Sequence, residues 1–180
     1  MENVSEEVML DLIGRGHNWL LQQRDVFKAK GRPLSDEEKF PLGGYFDAGT
    51  LDRVRLAVVD RISNPAFYDE MKALEYQQLD ISTASAIAFI DCVLIGRRYQ
   101  AFPSLWTSIL FHELVHVVQY ELLGTRQTIE SYIRTWFENW FNYDGTPLEA
   151  QAQRLASRFD RHEPPFAVRE VVGEELKHIL

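Results

Sequence analysis

Apolar residues recur at helical spacing over the first thirty positions, where Val8, Ile13, Leu20 and the pair Val26-Phe27 stand among charged neighbours. This pattern predicts one or two amphipathic helices from about residue 3 to 29, ended by Gly31-Arg32-Pro33. In LSDEEKF, Ser35 precedes Glu38 by three places, the spacing of a capping box that opens a short helix. GGYFDAG then reads as a turn-rich joint. At 53–60, RVRLAVVD alternates and is β-branched, as a half-buried strand should be, and NPAFYDEMKAL predicts a turn and a short helix. AIAFIDCVLIG, residues 86–96, is the best strand pattern in the chain. Its nearly continuous apolar character implies burial on both faces, and Asp91 within it needs a partner. Beyond it the period turns helical. Helices are expected at 103–122, about 126–141, 146–160 and 169–179, separated by Gly124, by Tyr143-Asp144-Gly145 and by Pro164-Pro165.

These elements make an α+β fold, predominantly helical with two or three strands. No internal repeat, low-complexity tract or Gly/Ser/Pro linker invites a division, so one domain over 1–180 is expected. Within it lie an N-terminal helical segment of about 1–50, a core of about 53–160 and a tail from 161.

At 180 residues with 46% hydrophobic and 12% aromatic content, the chain can close a real core. A net charge of −8 argues against a phosphate-neutralising surface, since the only basic pair beside an apolar stretch is Arg97-Arg98. No run approaches the ~18 consecutive apolar residues of a membrane helix. The start, MENVSEEVML, is acidic where a secretory signal is basic. The expectation is a soluble cytoplasmic protein with no nucleic-acid or membrane partner. The single cysteine, Cys92, cannot form an internal disulfide and is expected to be an inert buried thiol.

The chemistry concentrates in LFHELVHVVQYELLG, residues 110–124. Residues four apart share a helix face, so His112 and His116 can present two imidazole nitrogens to one zinc ion. Glu113 lies about 100° around the helix, flanking the pair, where it can serve as general base toward water activated by the ion. The alternative is a pair of ordinary core histidines, which would leave Glu113 a half-buried charge without a reason. A catalytic zinc needs a third protein ligand. Asp144, Glu149, Asp160 and His162 are candidates, and Glu149 stands out. PLEAQAQRLA opens a helix with Pro147 in its first turn, and Ala150 and Ala152 would let it pack closely on the HELVH helix. An acidic residue in a first turn is also ordinary helix-dipole chemistry.

HELVHVVQ followed by LEAQA resembles the gluzincin clan of zinc metallopeptidases, particularly the minimal gluzincins and bacterial zincin-like domains. The resemblance covers about residues 84–160. It implies a zincin-like fold, Zn2+ as cofactor, His112, His116 and Glu149 as ligands, Glu113 as base, and a peptide or protein as substrate. It matches the run 86–96 to the edge strand above the cleft, which pairs with extended substrate. The chain departs from thermolysin-like enzymes in two ways. Glu149 follows His116 by 33 positions, a longer gap, and the Asn-Glu-x-x-x-Asp form of their glutamate helix is absent. The gap holds YIRTWFENWFNY, whose Tyr132, Trp136, Trp140 and Phe141 read as core rather than substrate pocket. Zincins also steady the oxyanion with a Tyr or His, for which Tyr143 or Tyr132 is a candidate. Asp91, Asn139 and Asp144 are candidate partners for a ligand histidine.

Two functions therefore compete. One is a zinc metallopeptidase. The other is a zincin-like module that binds zinc but whose proteolysis is absent or self-occluded, with PPFAVREVV able to lie along the edge strand.

Overall fold

The computed structural model describes residues 5–73, 80–138 and 145–179. Helix α1 (Glu6–Lys30) is one helix, capped at Ser5 and stopped at Gly31. Strand β1 (Arg32–Pro33) leads to α2 (Asp36–Lys39), where Ser35 and Glu38 form the capping box that their spacing predicts. The GGYFDAG joint holds more order than its composition suggests. Asp47 caps α3 (Ala48–Arg53), its carboxylate accepting from the Thr50 N–H at 2.8 Å. Strand β2 (Arg55–Val59), the short α4 (Tyr68–Ala73), β3 (Ala86–Phe89) and β4 (Cys92–Gly96) follow.

The best strand pattern is therefore two strands. Residues 86–96 fold back on themselves through Ile90 and Asp91, so Phe89 faces Cys92 across an antiparallel hairpin. A long apolar run does not reveal a two-residue loop that lacks glycine. Ile90 has φ 60°, a left-handed conformation that a β-branched side chain resists. Tertiary contacts hold the loop. The Asp91 carboxylate accepts from Arg24 at 2.8 and 3.0 Å and from Lys28 at 2.6 Å, and its carbonyl accepts from the Arg55 N–H at 2.9 Å. The partner that Asp91 needs is thus on α1 and is no ligand histidine.

The sheet is mixed, in the order β1-β2-β4-β3, with only β2 and β4 parallel. β4 lies inside, and β3 is the edge strand that precedes the motif helix. Helix α5 (Pro103–Leu123) packs on β3 and β4, and α6 (Thr125–Glu138), α7 (Pro147–Asp160) and α8 (Val168–Ile179) surround it. That setting explains a helix apolar on every side. Leu110, Phe111, Leu114, Val115, Val117 and Val118 are all buried. Gly124, at φ 79°, ends α5. One apolar cluster runs from Leu20 of α1 to Leu176 of α8. Among the described residues no helix is long and apolar enough to cross a membrane.

The tail does not reach the edge strand. Pro165 lies against Gly44, Phe166 packs on Tyr45 and Phe111, and the Val168 N–H donates to the Tyr45 carbonyl at 2.9 Å. From Val168 the chain is helical rather than extended, because Val168, Val172 and Leu176 form an apolar stripe that α5 buries. Cys92 is fully buried, and burial pushes its thiol up to about 11.

Candidate metal centre

The site is built where α5 and α7 cross. His112 and His116 are one turn apart on α5, their rings 4.7 Å apart and nearly perpendicular. Ala152 is fully buried in the α5–α7 contact, whereas Ala150 faces outward, so only one of the two small residues serves the close approach. The first turn of α7 thereby brings Glu149 to the histidines. Its Oε1 is 3.2 Å from His112 Nε2, its Oε2 is 3.3 Å from His116 Nε2, and the two Nε2 atoms are 3.0 Å apart. Among the described residues these three are the one group with metal-ligand spacing. Asp160 instead accepts from Ser108 at 2.8 Å, and His162 is exposed at the end of α7.

The electrostatics of the triangle suit a cation. Two neutral imidazoles cannot point lone pairs at each other at 3.0 Å without a proton or a cation between them. Glu149 Oε2 is buried, and no donor meets it in hydrogen-bonding geometry. Burial by itself would raise the Glu149 carboxyl, but His112 and His116 hold it well below the usual range. Burial would likewise depress His116, yet Glu149 and Glu113 bring it up to about 9. The site collects positive charge in whatever form is at hand.

Glu113 is buried beside this triangle and is not part of it. Burial pushes its carboxyl above the ordinary range, against the pull of His112 and His116, and the Ala88 N–H faces it. The hairpin explains that donor. The Gly96 N–H donates to the Ser85 carbonyl at 3.0 Å, so alternation turns the N–H and C=O of Ala86 and Ala88 to the free edge.

His116 is held from behind. Its Nδ1 lies 2.8 Å from Gln119 Oε1 and 3.0 Å from the Tyr132 hydroxyl. Gln119 is fully buried and was readable in principle, because an amide in so apolar a helix has to find partners. Tyr132 therefore braces His116 from the side away from Glu149. Tyr143, Asn139, Asp144, Trp140 and Phe141 lie outside the described residues.

A cavity of about 480 Å³ opens from the triangle between the β3 edge and the pair α1 and α6. Leu12, Trp19, Ile129, Ile133 and Trp136 give it apolar walls. Tyr132 and Trp136 thus line the pocket that the sequence assigned them away from. They do so because α1 packs on α6 and leaves a space beneath. Gly16 permits that close crossing: a Cβ there would sit 3.3 Å from Ile133 Cδ1. The N-terminal segment, outside the gluzincin resemblance, is a wall of the site.

Comparison of the chain with protein-family models, with curated proteins and with solved structures finds no match.

Proposed function

We propose that the protein is a zinc-dependent metallopeptidase of the gluzincin type on a zincin-like fold, with His112, His116 and Glu149 as ligands and Glu113 as proton carrier. The observation that carries this reading is the spacing of the ligand groups: the two Nε2 atoms are 3.0 Å apart, and each meets a different oxygen of the Glu149 carboxylate, Oε1 at 3.2 Å from His112 and Oε2 at 3.3 Å from His116. A tetrahedral ion with bonds of about 2.0–2.1 Å requires ligand atoms about 3.3 Å apart. Two imidazoles and one carboxylate are also one of the donor sets that catalytic zinc uses. Bound zinc would supply Lewis acidity toward a water and toward a substrate carbonyl.

The chain's own groups supply the rest. Glu113, its carboxyl raised by burial, is a stronger base than an ordinary carboxylate and is suited to take a proton from water and return it to the leaving amine. Backbone groups of Ala86 and Ala88 on the free edge can align an extended peptide. The apolar cavity favours a substrate with a bulky apolar side chain next to the cleaved bond. Tyr132 meets His116 on the nitrogen away from the triangle, so its role is to orient the ligand rather than to meet an oxyanion.

A second reading keeps the zinc and drops proteolysis. The walls α1 and α6 favour it, since the cavity between them has the volume of a small-molecule pocket. Metal analysis of the untagged protein and digestion of a mixed peptide library separate the two. The peptidase reading expects one zinc per chain, its loss in Glu149→Ala, and cleavage that falls about 10²–10⁴-fold in Glu113→Gln with zinc retained. Zinc without cleavage leaves the binding module, and no zinc in the parent protein removes both.

A further inference from the structure

Gln119 sits one turn beyond His116 on α5, fully buried, and its partners other than His116 each have a fixed hydrogen-bonding sense. Its Nε2 lies 2.9 Å from the carbonyl oxygen of Leu148 and 2.9 Å from Oε1 of Gln151. A backbone carbonyl only accepts, so the Gln119 NH2 must face it. Gln151 is oriented in turn. Its Nε2 lies 2.8 Å from Glu175 Oε2 on α8, a carboxylate that also receives Arg154, so the Gln151 amide presents its oxygen to Gln119. Both donors of Gln119 are thereby committed, and its one remaining group, Oε1, meets His116 Nδ1 at 2.8 Å.

The chain of partners leaves one arrangement at His116. An acceptor facing Nδ1 requires a proton on Nδ1, which leaves Nε2 of the neutral ring with the lone pair directed at His112 and Glu149. Tyr132 by itself would permit the reverse, because its hydroxyl can donate to Nδ1 as readily as accept from it. Gln119 breaks that ambiguity: Oε1 against an unprotonated Nδ1 would set two lone pairs 2.8 Å apart.

We infer that Gln119 is a positioning residue that locks His116 in the Nδ1–H tautomer, with its own orientation imposed by Leu148 and by the Gln151–Glu175 pair. The C-terminal helix α8 thus reaches the ligand set through Glu175, three hydrogen bonds from the imidazole. The inference rests on the metal-binding reading for its purpose, though not for its geometry.

The test is histidine-selective 15N labelling of the full chain. Long-range 1H–15N correlations, recorded metal-free at a pH above the His116 titration, report which ring nitrogen carries the proton. The expected result is Nδ1–H in the parent and in Tyr132→Phe, and a mixture or Nε2–H in Gln119→Met. Zinc affinity, measured by chelator competition, should fall about 10- to 100-fold in Gln119→Met and stay within a few-fold in Tyr132→Phe. An Nε2–H signal for His116 in the parent overturns the inference without recourse to any variant. So does a folded Gln119→Met that binds zinc as the parent does, or a tautomer that flips in Tyr132→Phe alone. A parent that shows Nδ1–H yet binds no zinc sinks the functional proposal and leaves the lock standing.

Discussion

At Glu113 a single side chain is asked to be both buried and charged. Burial raises its carboxyl above the ordinary range, which means the charged form is disfavoured in the native state. For an acid with a raised native pKa, stability is lost as pH climbs past the unfolded value, about 4.3. Glu113→Gln should therefore melt higher than the parent when both are metal-free at neutral pH. Each ~1 kcal/mol gained is worth about 2–4 °C, and the gap should close below about pH 4. Differential scanning calorimetry across pH reads this directly; equal melting temperatures at neutral pH would falsify the account of Glu113 as a buried acid whose desolvation outweighs its favourable neighbours. The two histidines of the triangle were legible because i, i+4 spacing on a helix is a local property. Gln119 and Tyr132 were harder, since a supporting role depends on what faces them.

Among elements, the hairpin departs most from its sequence pattern, and what bends it is electrostatic. Asp91 sits half-buried between Arg24 and Lys28, and although burial works to raise its carboxyl, those two cations hold it below the usual carboxylate range. A depressed native pKa contributes stability above the unfolded value, about 3.9, and loses it as pH falls through the lower native value. Asp91→Asn should cost about 1.5–3 kcal/mol at neutral pH, the worth of a hydrogen bond to a charged group. Urea titrations should show that cost shrinking in acid. A cost independent of pH would assign the loss to packing instead. This contact also fixes α1 against the β3–β4 loop, which orients the cavity wall carried by Leu12, Gly16 and Trp19.

For the whole molecule, the decisive fact is that the segments outside the gluzincin resemblance are structural parts of the site. Helix α1 walls the cavity, and α8 buries Val168, Val172 and Leu176 while presenting Glu175 to Gln151. Burying three such side chains is worth about 1.5–3 kcal/mol each. That is comparable with the ~5–15 kcal/mol of a typical domain. Deleting residues 160–180 should accordingly lower the melting temperature sharply or abolish folding, where a self-inhibiting tail would instead release activity. A truncated chain that stays folded and cleaves faster would reverse this assignment. The sequence by itself determined the helical periods, the capping box at Ser35 and Glu38, the imidazole pair with its flanking carboxylate, and Glu149 as the strongest third candidate. The first three depend on spacing within one element, and the choice of Glu149 on its place in the first turn of a second helix with small neighbours. Only the tertiary structure decided where the apolar run 86–96 turns, that α1 and α6 enclose a cavity, and which way the Gln119 amide points. Each of those follows from contacts between residues distant in sequence, whose partners no local pattern can identify.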